Sequence, residues 1–172
     1  MPRKEVDPDE LKELTEVFRR YGAQDPELWA RSELAEGIPQ RAIFSFAKAM
    51  WTVVKDESDD RWIDIEIASS TRRPDDPYSA AGPALSEMLA KGVSREAIVD
   101  LVRTFQCETL FHVASLIDGA IDAADADVPV TDWSLVQLDE AGEPIAVIDG
   151  LHEVLLEFDP TGREMRPRSY KA

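Results

Sequence analysis

Sulfur and imidazole are scarce in this sequence. There is one cysteine, Cys107, and there are two histidines, His112 and His152, among 172 residues. A single cysteine excludes an intramolecular disulfide and fits a reducing compartment. Two histidines leave little material for histidine-based catalysis. Long apolar runs are missing as well: charges interrupt every one far short of the roughly 20 residues that a spanning helix needs. Met1 to Glu10 is polar and has no apolar centre of the kind a signal peptide carries, so a soluble protein of the cytoplasm is expected. The motifs G-x-G-x-x-G, G-x-x-x-x-G-K-[ST], G-x-S-x-G and H-E-x-x-H do not occur. No cofactor is expected.

Positive charge is also in deficit. Thirty-five acids stand against 19 bases, for a formal charge of −16 and an isoelectric point near 4.4. Such a field repels phosphate backbones and anionic membranes, so neither nucleic acid nor membrane is an expected partner. It speeds encounter with a cationic protein surface. The plainer reading of the same charge is solubility with no basic partner at all.

What is present reads as globular: 44% hydrophobic and 31% charged residues, without repeats or low-complexity tracts. The length suits one domain spanning 1–172, with 163–172 as a flexible basic tail holding Arg163, Arg166, Arg168 and Lys171. Asp7 and Pro8 open a first helix, with Leu11, Leu14, Val17, Phe18 and Tyr21 as its buried stripe and Gly22 as its stop. Asp25-Pro26 repeats the device for a helix that stops near Gly37. Pro39 begins an amphipathic helix to about Lys55, burying Ala42, Ile43, Phe46, Ala47, Met50, Trp51 and Val54. The run Arg61 to Ala68 fits both strand alternation and helical pairing, and is read as helix. Ser69 to Pro83, with three prolines and a glycine, reads as a long loop, and a short helix through Leu85, Met88 and Leu89 closes at Gly92.

Ser94 caps the longest helix, about 95–122. Ile98, Leu101, Val102 and Phe105 form its first buried stripe, and its second half is apolar nearly all round. Only Asp100, Thr104, Ser115, Asp118 and Asp122 leave a polar strip, so this helix is expected at the centre, wrapped by its neighbours. After it, two β-rich runs flank Asp139-Glu140-Ala141-Gly142-Glu143 and predict a hairpin at about 133–148. Gly150 to Phe158 predicts a final short helix with Leu151, Val154, Leu155 and Phe158 on one face. The fold class is therefore mainly α, shading to α+β.

Candidate chemistry is sparse. Glu108 and His112 are four apart on the long helix, so one face carries both within reach of a shared proton or metal. They abut the predicted buried stripe, and partial desolvation would tune their protonation. His152 and Glu153 could supply further ligands, making Glu108, His112 and His152 the candidate metal set. A lone E-x-x-x-H is common by chance, and a metal site wants three ligands or more. Cys107 lies off that face and reads as a small buried hydrophobe. Arg72, Arg73 and Tyr78, in the Ser69–Pro83 loop, are residue types that populate contact hot spots and anion clamps. The acid pairs Asp59-Asp60 and Asp75-Asp76 read as solvated loop charges. Gly92 to Ile98 resembles the turn of a helix-turn-helix, but the helix after it lacks the basic and amide side chains of a recognition helix. Asp159 to Pro167 stands out as a signature-like run without an attached chemistry.

Together these features favour a non-enzymatic acidic interaction protein with a basic protein partner. An immunity- or antitoxin-like inhibitor is one form of it. The alternatives are a small enzyme or metal-binding protein using Glu108 and His112, and a structural subunit of a larger complex.

Overall fold

The computed structural model describes residues 6–119 and 133–169. Among them are seven α-helices and one hairpin, in the order α1 (Pro8–Tyr21), α2 (Pro26–Glu36), α3 (Gln40–Trp51), α4 (Arg61–Arg72), α5 (Ala81–Ala90), α6 (Arg95–Ile117), β1 (Leu135–Leu138), β2 (Pro144–Ile148) and α7 (Leu151–Val154). A 3-10 turn, Leu155–Phe158, follows α7 directly. The chain is mainly helical, with antiparallel strands near its C-terminal end. No helix among the described residues is long and apolar enough to cross a membrane.

The helix starts and stops follow their local signals. Asp7 accepts from the Asp9 N–H at 2.8 Å, Asp25 from Leu28 N–H at 3.4 Å, and the Ser94 hydroxyl from Ala97 N–H at 3.2 Å. Each satisfies a donor that the first helical turn leaves orphaned. Gly22, at φ 91°, lets the chain turn left-handed out of α1 while its N–H still reaches Phe18 and Arg19 carbonyls.

Contacts divide the chain into two compact units, one built from residues up to Thr52 together with those from Glu108 onward, the other from Val53–Cys107. The core of the first is Leu14, Phe18, Ala30, Ile43, Phe44, Ala47, Ala114, Ile148, Leu151 and Val154. Phe44 is its hub, fully buried, with ring centroids at 5.1 Å from Phe18, 5.2 Å from Trp29 and 5.6 Å from Phe158. Phe44 was not in the face assigned to α3 from the sequence, and α3 ends at Trp51 rather than near Lys55. Apolar residues at 42, 43, 44, 46 and 47 wrap more than half the helix, so periodicity leaves the centre of the buried face open. The aromatic partners on α1, α2 and the 3-10 turn decide it.

The hairpin belongs to the same unit. β1 and β2 pair with Leu135 opposite Ile148, Val136 opposite Val147 and Gln137 opposite Ala146, with an irregularity before Leu138. Leu135 and Ile148 face the core, whereas Val136, Leu138, Ile145 and Val147 face outward.

In the second unit Ile63, Leu85, Ile98 and Val99 form the core. Residues 61–72 are helical, and their isoleucine alternation is no strand signal: Ile63 is buried while Ile65 is 63% exposed. The predicted Ser69–Pro83 loop shrinks to 73–80, since α4 continues to Arg72 and α5 starts at Ala81. Pro83 sits in the first turn of α5, where its missing N–H costs nothing. Gly82 lets α5 approach α4: its N–H donates to the Ser70 hydroxyl at 3.2 Å.

The long helix departs furthest from expectation. It ends at Ile117, with Gly119 at φ 67°, rather than running to Asp122, and residues 120–122 lie outside the described range. Its apolar residues are not all wrapped: Leu101, Phe105, Phe111 and Val113 are 40–58% exposed. Meanwhile Arg103 and Ser115 are buried, and so is the Asp118 side chain. Arg103 and Asp118 occupy inward positions with specific partners there. The Arg103 guanidinium donates to the Lys55 carbonyl, and Gln106 accepts from the Lys55 N–H at 2.9 Å.

A Cβ at position 82 would fall well inside contact distance of the Ser70 side chain and 3.1 Å from the Glu66 carbonyl oxygen. Gly82→Ala should therefore destabilise Val53–Cys107 by about 1–3 kcal/mol, measured by denaturant unfolding. An unchanged midpoint would show that α4 and α5 are not packed this closely.

Candidate functional site

The strongest polar constellation lies where α6 hands over to α7. His152, in the first turn of α7, points its Nδ1 at the Asp118 Oδ2, 2.6 Å away. The same oxygen accepts the His152 backbone N–H at 3.0 Å. The carboxylate is 1% exposed and the imidazole 25%, so Asp118 is an internal anchor and the histidine is the partly accessible member. Phe111, from the previous turns of α6, meets the His152 ring edge-to-face at 5.9 Å and the His112 ring at 6.1 Å. Asp118 Oδ1 is buried and carries no hydrogen bond. Such a carboxylate fixes the ring orientation of a histidine and leaves Nε2 for other work.

The residues singled out from the sequence are placed differently. Glu108 and His112 are both exposed on α6, and no hydrogen bond or ion pair joins them. The partial desolvation expected for them does not hold, because the Leu101–Phe105 stripe they abut is itself exposed. His152 is recruited by Asp118 instead of by Glu108 or His112, and Glu153 carries an exposed side chain beside it. Among the described residues no group of three or more His, Cys, Asp or Glu could hold a metal ion. Cys107 is buried.

Arg72, Arg73 and Tyr78 do not converge on a common point. Arg72 donates to the Ala68 carbonyl at 3.4 Å, Arg73 pairs with Asp76 at 3.3 Å, and Tyr78 is 92% exposed in a left-handed conformation at φ 71°. Asp59, read as a solvated loop charge, grips the start of α4. Its two oxygens take both Nε and a terminal nitrogen of Arg61, each at 2.8 Å, and Oδ1 also takes the Arg61 N–H at 3.0 Å. These hydrogen bonds from Arg61 hold the Asp59 carboxyl down at about 2, against an ordinary 3.8.

The Asp159–Pro167 run resolves into a knot around one buried carboxylate. Asp159 is 5% exposed and accepts from the Thr161 N–H at 3.1 Å, the Thr161 hydroxyl at 2.8 Å and the Met165 N–H at 3.3 Å. Glu164 and Met165 take positive φ angles to complete the wrap. The signature-like quality of the sequence is a backbone-organising role.

Comparison with known proteins finds no matching family model, no matching curated protein and no matching solved structure.

Asp118 was legible only as one member of a polar strip. Its partner is 34 residues away, and nothing in local spacing links the two. Asp118→Ala would leave the His152 ring and N–H without an acceptor, and should cost about 1–3 kcal/mol in denaturant unfolding. Unaltered stability would show that the pair does not anchor α7.

The Asp59 grip has an acid limit. Its folded-state pKa is depressed, so its contribution is complete above the ordinary carboxylate range and disappears as pH falls from 3.8 towards about 2. An NMR titration of the Asp59 carboxyl should give a midpoint near 2, and a midpoint near 3.8 would remove the bidentate pair.

Proposed function

We propose that this chain is a non-enzymatic acidic interaction protein whose partner is a basic protein, with an immunity- or antitoxin-like inhibitor as one concrete form. The observation that carries the reading is how charge is distributed. Most basic side chains that the structure places are occupied by their own chain. Arg19 and Arg20 pair with Glu16, Arg31 with Glu27, Arg41 with Glu33, Lys91 with Glu87, and Arg95 with Asp60 and Asp64. Lys48 and Lys55 lie over the rings of Tyr21 and Trp62. Acids outnumber bases 35 to 19, so an acidic excess remains after these pairs. From Thr104 to Gly162 the sequence contains 13 acids and neither lysine nor arginine.

Pairs of this exposed kind contribute about 0–1 kcal/mol each, so they do little for stability. Their larger effect is to cancel positive potential locally and leave a broad negative field. Such a field raises the rate of encounter with a cationic surface and suppresses anionic partners. Arg95 and Arg103, the two arginines of α6, turn to Asp64 and to the Lys55 carbonyl, which supports the exclusion of nucleic acid. The lone buried cysteine and the charge balance support a cytoplasmic location.

A second reading, proton transfer at His152, draws on the Asp118 contact alone. Among the described residues no nucleophile or second acid–base group is hydrogen-bonded to the ring.

Binding of the native partner should weaken by about tenfold or more between roughly 0.1 M salt, where screening reaches about 10 Å, and roughly 1 M, where it reaches about 3 Å. Titration calorimetry at the two salts measures this. Affinity that ignores salt would sink the electrostatic reading.

A further inference from the structure

The β1–β2 hairpin sits inside the base-free run and exposes aliphatic surface on both of its strands. Val136 is 40% exposed, Leu138 54%, and Ile145 and Val147 57% each. The pairing puts Val136 directly across from Val147, so the outward side chains share one face. Neither strand contains a charged residue, in a chain where 31% of residues are charged. Proteins commonly guard such ribbons with lysines, inward charges or cover. The guards in these strands are Pro144, the first residue of β2, and the irregularity before Leu138.

Both ends of the face are acidic. Asp139, Glu140 and Glu143 ring the turn, and Asp149 follows β2 at the opposite end, beside the Leu135–Ile148 pair. All four are exposed, and none is in an ion pair among the described residues. Asp139 Oδ1 spends its capacity on the Ala141 and Glu143 N–H groups, which fixes the turn and leaves the charge in place. The result is an aliphatic strip four to five residues long with negative charge at each end.

We propose that this outer hairpin face docks a segment of a partner protein having an aliphatic centre and Lys or Arg at both ends. The proposal rests on the acidic-interaction reading and gives it a place and a partner chemistry. Charge complementarity selects this occupant. A second copy would bring acids against acids in a chain already at −16, and a neutral apolar segment would leave the end charges unused. The aliphatic centre supplies the contact area, and the flanking bases set its position along the strip.

The probe is a synthetic peptide with a Val-Ile-Val-Ile centre and a lysine pair at each end, alongside a peptide of the same composition with lysine alternating with the aliphatics. Both are titrated against the full chain at low salt by calorimetry and by amide NMR. The end-charged peptide should bind at least tenfold more tightly, with shift changes concentrated at 135–149. Val136→Ser with Val147→Ser, which keeps every charge, should weaken it at least tenfold. Glu143→Gln with Asp149→Asn, which keeps the aliphatics, should do the same and should remove much of the salt dependence. Circular dichroism confirms that each variant stays folded, and a variant that unfolds is replaced by Ile145→Ser or by Glu140→Gln.

Unchanged affinity in both variants, equal binding of the two peptides, or shift changes confined elsewhere would overturn the hairpin assignment. A dimer in sedimentation that Val147→Ser dissolves would overturn it too, by making a second copy the occupant. If cationic proteins such as lysozyme are still held in a salt-sensitive way while the hairpin variants behave like wild type, the acidic-interaction reading survives without this site. If nothing cationic is held at low salt, that reading fails first.

Discussion

The ring of Phe44 is where three stretches of chain far apart in sequence are brought together. Phe18 and Tyr21 reach it from α1, Trp29 from α2 and Phe158 from the closing 3-10 turn, with centroids 5.1–6.2 Å away. Burial of one phenylalanine is worth about 1.5–3 kcal/mol, and edge-to-face pairs of this kind add about 0.5–1.5 kcal/mol each. The angles follow from the ring quadrupole: the Phe18, Trp29 and Phe158 planes stand 63–79° from Phe44. Because α3 is fixed by that cluster, Ile43 and Ala47 are placed in the same core as Ile148, Leu151 and Val154, and the hairpin and α7 are positioned in turn.

What could be read from the sequence was what is written locally. The starts of α1 and α2 need only Asp-Pro and the orphan N–H groups beside it, and both occur as expected. The hairpin needs two β-rich runs and a turn, and these lie next to each other at Leu135–Leu138 and Pro144–Ile148. Features that depend on distant partners were not legible. Periodicity does not single out Phe44 because α3 offers several apolar faces, and Phe18, Trp29 and Phe158 choose among them. The polar strip of α6 is legible as polar but its surroundings are not: Ser115 is buried and Asp118 is claimed by His152. Prolines at 74 and 77 marked the connection after α4 correctly, but Gly82 and Pro83 serve the helix that follows rather than the loop. Of the candidate residues, His152 acquired a partner that no spacing rule could name, and Glu108 with His112 stayed exposed.

Charge and packing divide the work in this protein. Stability comes from aliphatic and aromatic burial, and from a few polar side chains that hold backbone: Asp159 at its knot, Asp118 at α7, and Arg103 and Gln106 at Lys55. The exposed ion pairs add little to that. They set instead where negative potential is left over, and the aliphatic hairpin lies within it. On the proposed interaction reading, long-range attraction and short-range apolar burial would act at different distances.

The division of the core has a consequence for how the chain is made. Val53–Cys107 is one uninterrupted stretch and holds its own cluster of Ile63, Leu85, Ile98 and Val99. Every residue of that cluster is translated before Phe158 is. The other unit opens with α1 and is completed only when Phe158 reaches Phe44. Its α1, α2 and α3 therefore lack the Phe158 contact until the chain has grown past the hairpin and α7. Domains tend to fold as they emerge, and surface left open in the meantime invites misassembly. The inserted stretch can mature while the unit that brackets it still waits for Phe158.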